Sequence, residues 1–237
     1  MFDYDSQLLE VVQVAKPQSI PDVTKVLEAI DALCVDGDGL KWFNWLYLRV
    51  TKAVGGATFT DPAWLASLDV HFAGFYFEAL AAWLKQEGLS ECWRVLFERR
   101  DHGRIARIQF ALAGINAHIN HDLCAAVVAT CAATGSTPDH GGVHYRDYMA
   151  VNSTLDAQVE EAKRTLHVRL LGEVLPPVSH LEDTLAAWSV TAAREKAWIN
   201  AEHLWRLRSL PVLRDSYLDT LDGFTSVIGQ TLLVPVP

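Results

Sequence analysis

The sequence predicts an all-α fold, with residues 1–237 forming a single helical bundle of about seven or eight helices. Apolar residues recur at helical spacing along most of the chain. No segment shows the alternation of apolar and polar residues, rich in β-branched side chains, that is typical of a β-strand. Because no composition shift, long polar linker or internal repeat divides the chain, we expect one domain.

The first predicted helices begin at capping residues and end before glycines. Ser19 is a good N-cap, and Pro21 suits a first helical turn because its missing N–H has no partner to lose there. Asp61 and Pro62 repeat this start signal. The expected bounds are Ser19 to Cys34, Leu40 to Val54 and Asp61 to Lys85.

Glycine and proline also divide the second half of the chain into helices. Gly135 and Pro138 end a long apolar helix, and Pro211 precedes the last helix. The expected bounds are Glu91 to Ala133 with a break at Gly103, Tyr145 to Leu171, Leu181 to Leu207, and a final helix before the 232–237 tail.

The net charge and the apolar segments exclude two classes of partner. A formal net charge of −9 opposes nucleic-acid binding, whose affinity comes mainly from Lys and Arg that neutralise phosphates. Charged residues and histidines interrupt every apolar run before the ~20 residues that a transmembrane helix needs, so we expect no membrane span. The start of the chain, with Asp3, Asp5 and Glu10, does not resemble a secretory signal, which predicts a cytoplasmic location.

The four cysteines, Cys34, Cys92, Cys124 and Cys131, contain no Cys-x-x-Cys pair. This spacing argues against a disulfide framework and against a zinc site made of thiolates. We expect reduced cysteines in the core, because free cysteine is among the residues most often buried.

The segment FALAGINAHINHDL, residues 110–123, departs most from the pattern of a simple core helix. At 100° per residue, His118 and Asp122 lie one above the other at the edge of an apolar stripe. An imidazole and a carboxylate at i, i+4 can bond each other or converge on one metal ion, and burial shifts their pKa values. The alternative interpretation is a structural bridge, because buried polar groups must be satisfied. Asn116 and Asn120 lie on other flanks of the helix, and His121 is expected to face solvent.

Three further groups of polar residues are candidates for the same site. Asp147 opens the helix after the glycine loop and approaches His118 if that helix packs antiparallel on the previous one; its alternative is an exposed helix-start charge. Asp69 interrupts an apolar helix and shares a face with Tyr76. Arg194 and Trp198 are spaced i, i+4, which favours stacking, an arginine clamp on an inner carboxylate, or a surface pair.

Several common catalytic motifs are missing from the sequence. It contains no Gly-x-Gly-x-x-Gly, phosphate-binding Gly-Lys-Ser/Thr loop, Gly-x-Ser-x-Gly elbow or His-Glu-x-x-His. It also lacks paired Glu-x-x-His motifs, so a ferritin-type di-iron centre is poorly supported. Eight tryptophans are spread over most helices, and a few of them can line an apolar pocket for an organic ligand.

At Gly114 to Leu123 the sequence resembles a largely actinobacterial domain family of unknown function with the signature Gly-x-Asn-Ala-His-Ile-Asn-x-Asp-Leu. The resemblance extends over most of the chain. Its further matches are Phe43, Tyr47, Thr51, Asp69, Phe72, Asp147 and Asn152. The resemblance brings no activity with it, but it implies that His118 and Asp122 are functional.

The His-x-x-x-Asp spacing of His118 and Asp122 is also similar to the all-α zinc-dependent phospholipase C and P1-nuclease group. In that group, further histidine and acidic ligands follow, as His140, His144 and Asp147 do here. The sequence departs from the group at Tyr148, where the second helix would carry a glutamate four residues after its histidine. This likeness is an analogy.

The sequence favours a small-molecule enzyme with a largely apolar pocket between helices. His118 is the expected general base or metal ligand, Asp122 orients it or shares the metal, and Asp147 or Asp69 is a second acid. Asn116, Asn120, Tyr76, Arg194 and Trp198 are the expected substrate contacts. Two chemistries stay open: hydrolysis assisted by zinc, iron or manganese, and metal-free cyclisation or isomerisation of a hydrophobic natural product. The alternative from another class is a binding or carrier protein in which the His118–Asp122 pair is structural.

Overall fold

The computed structural model describes residues 2–170 and 189–235, and every regular element in these ranges is a helix. The all-α prediction is therefore confirmed. In chain order the elements are α1 (Asp5–Val14), α2 (Ile20–Leu33), α3 (Gly39–Gly55), α4 (Pro62–Leu84), α5 (Glu91–Phe97), α6 (Arg107–Ala117), a π-helical turn (His118–Asp122), α7 (Leu123–Thr134), α8 (Val143–Ala150), α9 (Asn152–Leu170), α10 (Val190–Leu207) and α11 (Pro211–Leu232).

Helix α6, the π turn and α7 run on without interruption and form the centre of the bundle. Every residue from Ile108 to Ala117 is buried, so α6 is enclosed on all sides. Helices α3 and α11 pack on α6, and helices α4 and α10 pack on α7. The π turn contacts α4, α10 and α11, which places residues 118–122 at the meeting point of the surrounding helices.

The helix boundaries follow from local capping. The Ser19 hydroxyl accepts a hydrogen bond from the Asp22 amide, and the Asp38 and Asp61 carboxylates cap α3 and α4 in the same way. Helix α7 ends at Gly135, whose φ of 68° lies in the left-handed region that glycine adopts without a steric cost. Ser19, Asp61 and Gly135 thus lie at the helix ends where the sequence predicts them.

Helices α3 and α6 approach each other closely at two glycines. A Cβ atom added to Gly114 would lie 2.3 Å from Phe43 Cγ, and one added to Gly39 would lie 2.4 Å from Phe110 Cδ1. Neither contact is possible without a shift of the ring. Gly114 therefore lets the Phe43 ring lie directly on α6, one turn before His118.

A buried ion cluster joins α1 to the rest of the bundle. The Arg100 guanidinium bonds both oxygens of the Asp38 carboxylate, and its Nη1 lies 3.0 Å from Asp5 Oδ1. Tyr4 donates to Asp38 Oδ2 at 2.8 Å. The nearby negative charges stabilise the buried arginine in its charged form, and they raise its pKa despite the desolvation that opposes charge.

The helix number is close to the predicted seven or eight. The structure differs from the predicted helices in three places. Helix α1 was not predicted, and the π turn separates α6 from α7. A break at Val151 divides the helix expected from Tyr145 to Leu171 into α8 and α9. Helix α10 begins at Val190; Leu171 and residues 181–188, which the sequence also placed in helices, lie outside the described residues. None of the helices that the structure describes is both long and apolar enough to cross a bilayer.

Candidate functional site

The candidate site is centred on the π turn, which contains both His118 and Asp122. The amide of Leu123 donates to the carbonyl of His118, five residues back, instead of the usual four. This wider turn changes the angular spacing of side chains along the central helix. Single π turns of this kind occur frequently at functional sites.

The Asp122 carboxylate accepts hydrogen bonds from three side chains. Its Oδ2 lies 3.0 Å from His118 Nδ1 and 2.9 Å from Trp93 Nε1, and its Oδ1 lies 2.7 Å from His121 Nδ1. Asp122 and His118 are both buried. A buried carboxylate is costly unless it is paired, and these three donors satisfy it.

Burial and hydrogen bonding set different protonation states in this cluster. Burial lowers the pKa of His118 and outweighs the opposing effect of the Asp122 charge, so His118 stays neutral. Burial also opposes ionisation of Asp122, but its hydrogen bonds to His118 and His121 lower its pKa overall. For the more exposed His121, the bond to Asp122 prevails over desolvation and raises the pKa.

The His118 ring is held between aromatic side chains. Its centroid lies 3.5 Å from that of Phe72 with the planes 8° apart, and 4.8 Å from that of Tyr47, which it meets edge-on. The rings of Phe43 and Trp93 also contact the imidazole, at centroid distances of 5.8 and 5.9 Å. These contacts fix the ring plane, while the Asp122 bond fixes which nitrogen points to the carboxylate.

His118 lines a small, mostly apolar cavity between α3, α4, α9 and α10. The cavity measures about 40 Å³, and its walls include Tyr47, Phe72, Leu155 and Arg194. Because Nδ1 of His118 faces Asp122, its free ring nitrogen is Nε2, a buried atom with no hydrogen-bond partner within residues 2–170 and 189–235. A neutral imidazole nitrogen in this position can accept a proton or a hydrogen bond from a molecule in the cavity.

A second cavity of about 50 Å³ adjoins the first and brings Asp69 to the site. The two cavities share Tyr47, Phe72 and Arg194 among their walls. Asp69 is half-buried as a residue, but its Oδ2 is enclosed and has no partner in the described part of the chain. Desolvation raises the pKa of Asp69 to about 7. Burial, followed by the Asp69 charge, also raises the pKa of the buried Tyr47 hydroxyl.

Arg194 brings a buried positive charge to both cavities. Its Nε donates to Asn152 Oδ1 at 2.6 Å, its Nη2 donates to the Tyr148 carbonyl at 2.6 Å, and its guanidinium carbon lies 4.0 Å from the Tyr148 ring centroid. These partners are neutral. Burial lowers the pKa of Arg194, but a guanidinium stays charged at neutral pH. Among the residues that the structure describes, no carboxylate neutralises this cation through a direct hydrogen bond.

The other predicted substrate contacts belong to the surrounding core. Asn116 donates to the Thr225 carbonyl of α11 at 2.8 Å and accepts from Asn120 of the central helix at 2.9 Å. The Tyr76 hydroxyl lies 3.4 Å from Asn44 Oδ1, and its ring stacks on Trp93. Trp198 is buried against Trp64 and Tyr148 and donates to Glu202. Of the five predicted contacts, Arg194 is the one on the cavity walls.

Asp147 has a different environment from the one expected. Its Oδ1 and Oδ2 accept the amide protons of Thr60 and Asp61 at 3.0 and 2.6 Å, just before the start of α4. Burial opposes its ionisation, but these backbone bonds lower its pKa overall. Asp147 therefore bonds the backbone of residues 60–61. Asp69, in contrast, lines the cavity that adjoins the one beside His118.

The predictions from sequence missed three features of the site. His121 bonds Asp122 instead of facing away into solvent, because the π turn alters the helical spacing. Trp93, which looked like any core tryptophan, donates to Asp122 from α5. Tyr47 carried one usable signal, since Phe43, Tyr47 and Thr51 repeat every four residues and so share a face of α3.

Among the described residues, the set able to hold a metal ion is Cys92, His121 and Asp222. His118 and Asp122 bond each other, so their facing atoms do not converge on a common ion. His118 and Asp122, the predicted metal ligands, are therefore not part of this set. The hydrogen bond between His121 and Asp122 connects the two groups.

Comparison with known proteins identifies a family and nothing further. The sequence model described as "Family of unknown function (DUF5995)" matches residues 20–235. No curated protein and no solved structure matches the chain.

Proposed function

The chain belongs to DUF5995, a family of unknown function, and we propose that it is an enzyme that moves a proton on a small hydrophobic molecule. In this proposal His118 is the general base, Asp122 orients it, Arg194 holds an oxygen of the substrate, and Asp69 is a second acid group. The reaction class is isomerisation or cyclisation by acid–base catalysis.

One observation carries the proposal: the His118 imidazole is buried and bonded at Nδ1, and its Nε2 lies beside an apolar cavity with no partner among the described residues. Orphaned buried polar atoms are uncommon in folded proteins, and a functional role is one reason for them. When Nε2 takes up a proton, the charged imidazolium is stabilised by Asp122, as in other histidine–carboxylate pairs. The pair therefore lowers the cost of forming a cation inside the bundle.

Arg194 defines the chemical class of substrate. Its guanidinium lines the same cavity as His118 and has neutral hydrogen-bond partners. Removal of a proton next to a carbonyl places negative charge on the oxygen, and a fixed cation stabilises that charge in a site shielded from water. The apolar walls then contact the remainder of the molecule. We therefore infer an apolar substrate with a carbonyl group.

Asp69 complements His118 because burial moves the two pKa values in opposite directions. The pKa of His118 is lowered and that of Asp69 is raised to about 7, so near neutral pH a base and a carboxylic acid are both present. Asp69 can return a proton at a different atom of the substrate, which is what isomerisation requires.

The non-catalytic alternative has a specific observation in its favour. Asp122 is fully bonded, as a structural bridge would be. The cavity of about 40 Å³ holds little more than a water molecule, so a substrate and a carried ligand alike must displace wall side chains such as Leu155 and Val159 of α9. In this alternative the chain binds or carries a hydrophobic molecule without turnover.

Proton exchange on simple ketones tests the proposal without knowledge of the natural substrate. Cyclopentanone, cyclohexanone and 2-tetralone are incubated with the protein in D2O, and deuterium uptake next to the carbonyl is followed by NMR. The expected result is uptake above the buffer rate for at least one ketone. His118→Asn keeps a donor for Asp122 but removes Nε2, and should reduce this catalysed rate by about 100-fold or more.

His203→Asn is the matched control, because His203 is exposed and bonds Tyr217 away from the cavity. It should leave deuterium uptake unchanged. Saturable ketone binding without any catalysed uptake would support the carrier alternative, and equal uptake by the wild type and His118→Asn would contradict a base at Nε2.

The proposal includes a cytoplasmic location and a substrate from secondary metabolism. All four cysteines are free and buried, which suits a reducing compartment. The apolar cavity walls suit a hydrophobic natural product.

A further inference from the structure

A second cluster of reactive side chains lies on the other side of Asp122. Cys92 of α5, His121 of the π turn and Asp222 of α11 place one ligand atom each within 4.8 Å of one another. Cys92 is buried, whereas His121 and Asp222 are half-buried, so the cluster is accessible from the surface. The three residues come from distant parts of the chain and meet only in the folded protein.

One nitrogen of the His121 ring bonds a carboxylate, which leaves the other for a ligand. Its Nδ1 lies 2.7 Å from Asp122 Oδ1, which leaves Nε2 as the nitrogen with a free lone pair. A histidine that binds a metal almost always donates its other ring N–H to a carboxylate or carbonyl, because this bond fixes the tautomer and makes the ligand more basic. Asp122 supplies this second partner from the neighbouring position in the chain.

The Asp222 carboxylate is held in place by backbone amides. Its Oδ2 accepts from the Glu91 amide at 2.7 Å, and its Oδ1 accepts from the Cys92 amide at 2.8 Å. Each oxygen keeps a second lone pair. The Cys92 thiol lies 3.6 Å from Ser90 Oγ and also interacts with the Asp222 carboxylate, so its sulfur faces the other members of the cluster.

We propose that Cys92, His121 and Asp222 bind a zinc-class divalent cation. One thiolate, one imidazole and one carboxylate form the mixed sulfur, nitrogen and oxygen set that borderline metals such as zinc accept. Tetrahedral zinc places its ligands about 3.6 Å apart, so the three atoms need to close by about 1 Å at most. The Cys92 thiol loses its proton to solvent on binding, and a fourth position is left for water.

This site stands apart from the cavity and from the proposed catalysis. His118 contributes no ligand, and the connection runs through Asp122, which bonds both histidines. A cation on His121 keeps Nδ1–H directed at Asp122 and thereby keeps Asp122 ionised beside His118. Asp122 is thus a positioning residue for both histidines.

Cobalt(II) is the probe that tests the site, because a thiolate ligand gives Co²⁺ a charge-transfer absorption in the near ultraviolet. The untagged full chain is freed of metal with a chelator, dialysed and titrated with CoCl2. The expected result is one Co²⁺ per chain with the thiolate band, displaced by equimolar Zn²⁺. Cys92→Ser should abolish the band and weaken binding by about tenfold or more.

Cys131→Ser is the matched control, since Cys131 is equally buried but lies on α7 outside the cluster. It should bind Co²⁺ with the wild-type spectrum, as should His118→Asn. A wild-type protein without the thiolate band would overturn the proposal, even if Cys92→Ser failed to fold. Binding that Cys92→Ser leaves unchanged would overturn it as well. Loss of ketone exchange in a variant with normal Co²⁺ binding separates the two proposals.

Discussion

His118 Nδ1 lies 3.0 Å from Asp122 Oδ2 in the buried π turn at the centre of the bundle. The bond joins two residues four apart, the spacing that singled them out in the sequence. On the opposite side of the ring, Nε2 lies beside an apolar cavity and bonds none of the residues that the structure describes. The predictions below test the packing, the ionisation and the hydrogen bonds on which this arrangement depends.

Gly114→Ala should destabilise the protein because its new methyl group overlaps the Phe43 ring. Overpacking of this kind costs about 1–3 kcal/mol in the free energy of unfolding, measured by urea denaturation. Gly74→Ala is the control: a Cβ there meets nothing within 4 Å, and alanine favours the helix by up to about 1 kcal/mol. Equal effects at the two glycines would contradict the close approach of α3 and α6.

Asp122→Asn should cost about 3–5 kcal/mol, because three donors, two of them fully buried, lose the charged carboxylate that they share. Trp93→Phe removes only one of these donors and should cost about 1–3 kcal/mol. Urea denaturation at pH 7 measures both. The exposed Asp215→Asn should stay within roughly 0.5 kcal/mol of the wild type. An Asp122→Asn variant as stable as this control would show that the hydrogen-bond network contributes little.

Asp69→Asn should stabilise the protein at alkaline pH. The pKa of Asp69 is raised to about 7 in the fold from 3.8, so the folded state holds its proton after the unfolded chain has released it. Stability is therefore lost as the pH rises from about 4 to 7 and is not regained above. Removing the charge should gain on the order of 2 kcal/mol at pH 8, allowing for its partial exposure, and little at pH 4.

Thermal and urea unfolding of both proteins at pH 4 and pH 8 check this prediction. Asp215→Asn is the control, because that carboxylate on α11 is exposed to solvent. A gain for Asp69→Asn that is the same at both pH values would contradict a raised pKa at this position.

Most of the fold could be predicted because its signals are local. Ser19, Asp61 and Gly135 act in the structure as their residue types predict, and the helices lie between them. Helix α1 escaped prediction because it is short and its N-cap residue, Tyr4, makes no side-chain capping bond. The break at Val151 also lacks a glycine or proline to mark it.

The site could be predicted only where its residues are near neighbours in sequence. The i, i+4 spacing located the His118–Asp122 pair, but an angular step of 100° cannot anticipate a π turn, and so it misplaced His121. Arg194 was expected near Trp198, yet it lies over Tyr148 of α8. Contacts between distant helices, such as Trp93 with Asp122, depend on tertiary packing that periodicity does not describe.

The central claim is that His118 is a neutral base with its proton on Nδ1, and nitrogen NMR of ¹⁵N-histidine-labelled protein tests it most directly. His118→Asn assigns the two ring signals. At pH 7 we expect a protonated Nδ1 and an unprotonated Nε2, and this state should persist as the pH falls below 6.5 because burial lowers the pKa. A proton on Nε2, or a charged ring at pH 7, would contradict the account.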